Sequence, residues 1–176
     1  METGMARSQA LADAVTRAAD EARRLGHRRV GSEHLLLALL AEPAGGAAAV
    51  LAALKLEWTA VRAEIQELMP GSGRPVEGEV LLTDSAAGAL RQAEAVARRL
   101  GAAAVDTDHL LLGIARQHEG IGSRVLLDFG ASAEKVRQLV ERETIERQRR
   151  ACSGCGAALE PAWRFCPFCG TARVSV

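Results

Sequence analysis

The chain has 176 residues, 48% of them apolar and 25% charged, with a formal net charge of zero and only 3% aromatic residues. This composition supplies an aliphatic core of the kind helix bundles use, and it excludes a disordered chain or a strongly basic nucleic-acid clamp. Met1 to Ala10 hold no apolar signal region and no long uninterrupted apolar run follows, so the expectation is a cytoplasmic protein with no membrane contact.

The elements repeat. Ala22-Arg23-Arg24-Leu25-Gly26 returns as Ala97-Arg98-Arg99-Leu100-Gly101, and Ser32-Glu33-His34-Leu35-Leu36-Leu37 as Thr107-Asp108-His109-Leu110-Leu111-Leu112, each 75 residues on without a gap. Leu11, Ala14, Val15, Ala18, Ala22 and Leu25 fall at three- and four-residue steps, which predicts an amphipathic first helix stopped by Gly26. Ser32 then reads as the N-cap of a second helix running to about Ala41, with Glu33 placed near its positive end. A third helix is expected over 46–54 and a fourth over 57–68. The second copy predicts helices from Thr83 to Leu100, Thr107 to Gln117, Gly122 to Phe129 and Ser132 onward. The fold class is therefore all-α, a duplicated four-helix repeat of eight helices. Repeat one spans 6–68, repeat two spans 81–145, and together they make a domain over 6–145.

Met69 to Val80, with Pro70, Gly71, Gly73, Pro75 and Gly78, reads as the linker 69–80, and Gly71-Ser72-Gly73 lacks the pattern of a phosphate loop. The last helix overruns its counterpart through Glu141 to Arg150, and mixed charges at helical spacing predict a solvated stalk over 146–150. His34 and His109 each precede a Leu triplet with no second ligand nearby, so they read as hydrogen-bonded structural histidines. His118-Glu119 opens like a metalloprotease helix, but Gly122 stands where the second histidine belongs.

All four cysteines lie in the tail. Cys152-Ser153-Gly154-Cys155-Gly156 and Cys166-Pro167-Phe168-Cys169-Gly170 are two Cys-x-x-Cys-Gly knuckles, the pattern that gathers four thiolates around one tetrahedral zinc ion. A redox dithiol would need one such motif within a βαβ unit, which is absent. The reading is one structural zinc per chain on Cys152, Cys155, Cys166 and Cys169, in a zinc ribbon over 151–172. Trp163, Phe165 and Phe168 fall in the same segment, where metal and aromatics replace a core too small to form unaided. Arg147, Arg149, Arg150, Arg164 and Arg173 offer a thin basic footprint, so a protein partner is preferred and a nucleic acid is the alternative.

The duplicated Arg-Leu-Gly-His and Gly-Ser-Glu-His-Leu-Leu-Leu lettering resembles the Clp amino-terminal domain of unfoldases such as ClpC and ClpA, over about 6–145. The resemblance implies a pseudo-twofold bundle of eight helices that receives substrates and adaptors. No Walker motif accompanies it, so a free-standing, non-enzymatic accessory of the Clp system is expected, acting as an adaptor or as a decoy. In the ClpC branch each copy binds phosphoarginine through the acid of the Gly-Thr-Glu-His motif and a Thr near the first helix. Carried over, that implies Ser8, Ser32 and Glu33 in copy one, and Thr83, Thr107 and Asp108 in copy two. A carboxylate pairs bidentately with a guanidinium, and helix-start amides accept phosphoryl oxygens. Copy two departs at Asp106 for Gly, Asp108 for Glu and Ala102 for His. The expectation is two unequal sites, with Glu33 in the stronger.

Overall fold

A computed structural model describes residues 4–152, 154–160 and 162–172, and the side chain of Gln148 is not described. Eight helices form in the order α1 (Gln9–Leu25), α2 (Ser32–Leu40), α3 (Gly46–Leu54), α4 (Trp58–Leu68), α5 (Asp84–Arg99), α6 (Thr107–Ala115), α7 (Ile121–Asp128) and α8 (Ala133–Arg150). The expected eight-helix duplicated architecture is present, followed by a small cysteine-rich segment.

α1 obeys its sequence. Ser8 caps it by accepting the Leu11 N–H at 3.1 Å, and Gly26 ends it in the left-handed region at φ +77°. Leu11, Ala14, Ala18, Ala22 and Leu25 are buried along one stripe, and Val15 lies half-buried at its edge. α2 and α6 are different in kind. They are apolar almost all round, with Leu35, Leu36, Leu37, Leu110, Leu111 and Leu112 fully buried, because both run through the centre of the bundle. Each such leucine contributes roughly 2 kcal/mol by leaving water.

The two repeats interlock instead of sitting side by side. α2 packs on α1 and α4 of its own repeat and on α7 of the other, while α6 packs on α5, α8 and α3. The outer helices cross as well, α4 meeting α7 and α8 meeting α3. Ser32 was expected to cap α2, but Gly31 holds that position and the Ser32 hydroxyl accepts the Gly122 N–H at 3.1 Å, at the start of α7. Its counterpart Thr107 accepts the Ala47 N–H at 3.0 Å, at the start of α3. Both hydroxyls are fully buried. Each repeat thus terminates a helix of the other.

A feature absent from the helical pattern completes the exchange. β1 (Arg29–Val30) pairs in parallel with β2 (Leu81–Leu82), Arg29 opposite Leu81, and Arg7 makes the equivalent parallel bridge to Val105. Thr83 N–H donates to Val30 O at 2.9 Å, and Ser8 N–H to Val105 O at 2.8 Å, 75 residues away in both strands. The start of α5 is thereby pinned beside the start of α2, and the start of α1 beside the start of α6. Among the described residues, no helix is long and apolar enough to cross a membrane.

Candidate functional site

Crossed pairing decides which candidate residues share a site. Glu33 faces Thr83 of the other repeat across a cavity of about 480 Å³, lined also by His27, Ser85, Met69 and Gly71. Asp108 shares its niche with Ser8, whose hydroxyl donates to Asp106 at 2.6 Å. The resemblance placed Ser8 with Glu33 and Thr83 with Asp108. The folded chain exchanges them. Ser32 and Thr107 stand behind their acids with hydroxyls committed to α7 and α3.

In the first niche Glu33 is 4% exposed. Its Oε1 lies 3.1 Å from His34 Nδ1, and among the described residues no Arg or Lys stands within ion-pair distance of it. Burial opposes its charge, its own backbone N–H supports it, and the carboxyl stays below its ordinary range. Opposite it, Thr83 caps α5 by accepting the Ala86 N–H at 3.2 Å and lies 3.1 Å from the Ser85 hydroxyl. A carboxylate therefore faces the positive end of a 16-residue helix across open space.

Two imidazoles support this niche. His27 Nε2 must donate to the Met69 carbonyl at 3.2 Å, which leaves its Nδ1 to accept from His34 Nε2 at 2.7 Å. His34 Nδ1 then accepts the Gly31 N–H at 2.8 Å. The chain runs in one direction with both rings neutral. Burial, then the neighbouring His34, holds His27 below its ordinary value. Both candidate structural histidines are confirmed in that role, as His109 Nδ1 accepts the Asp106 N–H at 2.9 Å. Ala102 replaces the second ring in copy two, and His109 Nε2 is left buried without a partner.

The second niche is full. Arg147, from the segment expected to be a solvated stalk, turns inward and places Nη2 2.7 Å from Asp108 Oδ2 and Nη1 3.0 Å from Asp106 Oδ2. The solvated-stalk expectation is corrected at this residue, while Arg149 and Arg150 stay exposed. Asp108 is fully buried and also accepts the His109 N–H at 2.9 Å and the Thr144 hydroxyl at 3.3 Å. Asp106 is opposed by burial, yet the Ser8 hydroxyl, the Thr107 N–H and Arg147 hold it low. Burial likewise disfavours the Arg147 charge, and Asp108 then Asp106 raise it above its ordinary value. Spacing along one chain gave no sign of this pairing, which joins residues 39 and 41 positions apart.

The tail forms two matching turns. Gly156 N–H donates to Cys152 O and Gly170 N–H to Cys166 O, at 2.8 and 2.9 Å, with φ +74° at both glycines. Antiparallel bridges Ala151–Ala158 and Phe165–Ala172 flank them. The four Sγ atoms lie within 4.8 Å of one another, with Cys152–Cys169 at 3.5 Å and Cys155–Cys166 at 3.6 Å. A tetrahedral zinc thiolate site spaces its sulfurs by about 3.8 Å, so the cluster fits that metal. The Thr171 hydroxyl and N–H hold Cys169 down to about 6. Ala157 N–H favours the Cys155 thiolate, but the neighbouring sulfurs outweigh it and push the thiol up to about 12. Leu159 and Trp163 pack behind Cys152 and Cys166, while Phe165 and Phe168 are 63% and 73% exposed.

Fold and site together define a duplicated all-helical domain with two acid-floored niches at the seam between its halves. The chain belongs to the Clp repeat (R) N-terminal domain family, which it matches over residues 7–79 and 81–163. Domains of this type carry no catalytic activity of their own. The chain is 40% identical over 121 residues to the chaperone protein ClpB of Oceanobacillus iheyensis, covering 69% of this chain and 15% of that one. It is also 40% identical over 123 residues to the negative regulator of genetic competence ClpC/MecB of Bacillus subtilis, covering 70% and 15%. It therefore spans about 15% of the length of these relatives. Among solved structures, the Hsp104 N-terminal domain from Candida albicans superposes with a TM-score of 0.62 at 14% identity, over 77% of this chain and 89% of that one. The ClpV N-domain in complex with a VipB peptide gives 0.57 at 20%, over 81% and 98%. At these identities the likeness is one of fold.

Proposed function

We propose that the chain is a non-catalytic, protein-binding accessory of a Clp unfoldase system, and that the Glu33–Thr83 cavity receives arginine side chains marked by phosphorylation. The observation that carries this reading is an ionised, buried Glu33 with no guanidinium or ammonium within ion-pair distance among the described residues, set across open space from the start of α5. Glu33 would grip the guanidinium bidentately, and Thr83, Ser85 and the first amides of α5 would take the phosphoryl oxygens. The peptide complex of a ClpV N-domain adds that a domain of this fold can accommodate a peptide.

Cys152, Cys155, Cys166 and Cys169 would hold one zinc ion per chain and give the tail its order. Phe165 and Phe168 then present an apolar surface to a second protein. The nucleic-acid alternative loses ground, because Arg147 is engaged with two aspartates. Arg173 lies outside the described residues.

Calorimetric titration with free phosphoarginine tests the cavity. One equivalent is expected to bind, with affinity reduced roughly ten-fold or more by Glu33→Ala and a few-fold by Thr83→Ala. Equal affinity in Glu33→Ala would remove the assignment.

A further inference from the structure

The two niches have the same frame and different contents. Ser8 stands where Thr83 stands, Asp106 where Gly31 stands and Asp108 where Glu33 stands, each 75 residues apart. The first niche is bounded by Met69, Pro70, Gly71 and Ser72, because Pro70 lacks the N–H that would continue α4 and forces Met69 out of the helical region, to φ −138° and ψ 80°. Its counterpart is Ile145, which continues α8. The counterpart of Ser72 is Arg147. One missing helix breaker carries an arginine into the second niche.

There Arg147 and Asp106 together reproduce a guanidinium and an acidic group at the contacts the niche offers. Asp108 takes the guanidinium at 2.7 Å. Asp106 accepts the Ser8 hydroxyl at 2.6 Å, the Thr107 N–H at 2.8 Å and the Gly46 N–H at 3.2 Å, which are the donors an incoming acid would need. A Cβ at Gly46 would collide with Arg147 Nη2, so the α3 start is shaped to the arginine as well.

We infer that the Asp106–Asp108 niche is a guanidinium site whose resident occupant is Arg147 of the same chain, leaving the first of the two niches open. A partner's arginine enters the second niche only by displacing Arg147, which lifts the last turn of α8 and the cysteine segment attached to it. Asp106 fills the acid position permanently, so this niche takes an unmodified guanidinium and refuses a phosphorylated one.

The test uses the full zinc-loaded chain and N-ethylguanidine, which carries the head group alone. In Arg147→Ala, amides of residues 143–150 are expected to exchange roughly ten-fold faster than in the wild type, and millimolar N-ethylguanidine to restore their protection. Phosphoarginine should gain no second equivalent, and Glu33→Ala should change neither exchange nor rescue. Unchanged exchange, or faster exchange with no rescue, would overturn the inference. If Arg147→Ala does not fold, Arg147→Lys keeps the charge without the fork and should exchange about three-fold faster; wild-type protection there would equally overturn it. The readout is α8, so failure of the Glu33 assignment leaves this result standing.

Discussion

The open niche at Glu33 and the filled niche at Asp108 are built on one plan and reach opposite ends. In the first, a buried carboxylate keeps its charge with no Arg or Lys within ion-pair distance among the described residues, although Arg28 and Arg29 line the same cavity. In the second, two carboxylates share an arginine and five further donors. The substitutions that separate them are linked. The Glu33 carboxylate fills the space where a side chain at Gly31 would begin, whereas Asp108 is one methylene shorter and leaves room for Asp106. Duplication preserves a frame, and a paired change inside it converts a vacancy into a closed contact.

The largest expected effect isolates the tail from that contact. Chelation, or Cys152→Ser, should unfold 151–172 outright, since a structural zinc supplies on the order of 10 kcal/mol to a module of this size. Elemental analysis should give one zinc per folded chain. Amide exchange should show α8 protected as far as Arg147 after the metal is stripped. Loss of protection over 143–150 would mean that the tail, and not the aspartates, holds the second niche closed.

Next in size is the asymmetry of the acids themselves. Asp108→Ala removes the partner of a half-buried guanidinium and should destabilise by about 3 kcal/mol, at the lower bound for a broken buried pair because the Arg147 side chain is 40% exposed to water. Glu33→Gln removes a carboxylate that the fold holds below its ordinary range without a paired guanidinium, and should cost less, about 1 kcal/mol. Urea denaturation of both variants measures the difference. Equal losses would mean that Glu33 is a structural acid like its counterpart.

Most of the frame was legible from residues. The first helix ends at Gly26 and the Leu triplets mark α2 and α6, because periodicity and capping are local. Which repeat supplies which part of a niche was not legible. The parallel bridges at Val30 and Val105 depend on how two halves interlock, and no spacing within one half reports it. Ser32 misled for a related reason, since a serine at a helix start caps its own helix unless another helix start lies closer. Arg147 looked like one charge among many on a solvated helix. Its burial is set by the distant pair Asp106 and Asp108.

Acid should expose the histidine difference. His27 and His109 both sit below imidazole's ordinary 6.5, chiefly through burial. Below that value the unfolded chain binds protons the folded chain refuses, so stability is full above about pH 6.5 and falls as pH drops toward the folded values. His34 and Glu33 face His27, and a proton on His27 Nδ1 would meet the His34 Nε2–H and break the chain. His27→Ala should remove part of this slope and cost about 1–2 kcal/mol, by orphaning His34 Nε2 as His109 Nε2 already is. Thermal melts from pH 7.5 to 5 read both effects, and an unchanged slope would show that His27 does not titrate with folding.

The smallest effect is the most specific to the comparison. Gly31→Ala places a methyl where the Glu33 carboxylate now lies. The backbone at Gly31 is extended, φ −97°, so alanine carries no conformational strain and only the side-chain clash remains. Glu33 is long and its cavity open, so it can swing away at a cost of about 1 kcal/mol in stability. Phosphoarginine affinity should fall much further, because the displaced carboxylate no longer faces Thr83. In a Glu33→Ala background the same change should cost almost nothing, and Glu33→Asp should rescue Gly31→Ala, since the shorter acid leaves the room that Asp108 leaves beside Asp106. A double-mutant cycle on melting temperature and phosphoarginine binding reads the coupling directly. Strict additivity would mean that the paired difference between the niches is an accident of drift.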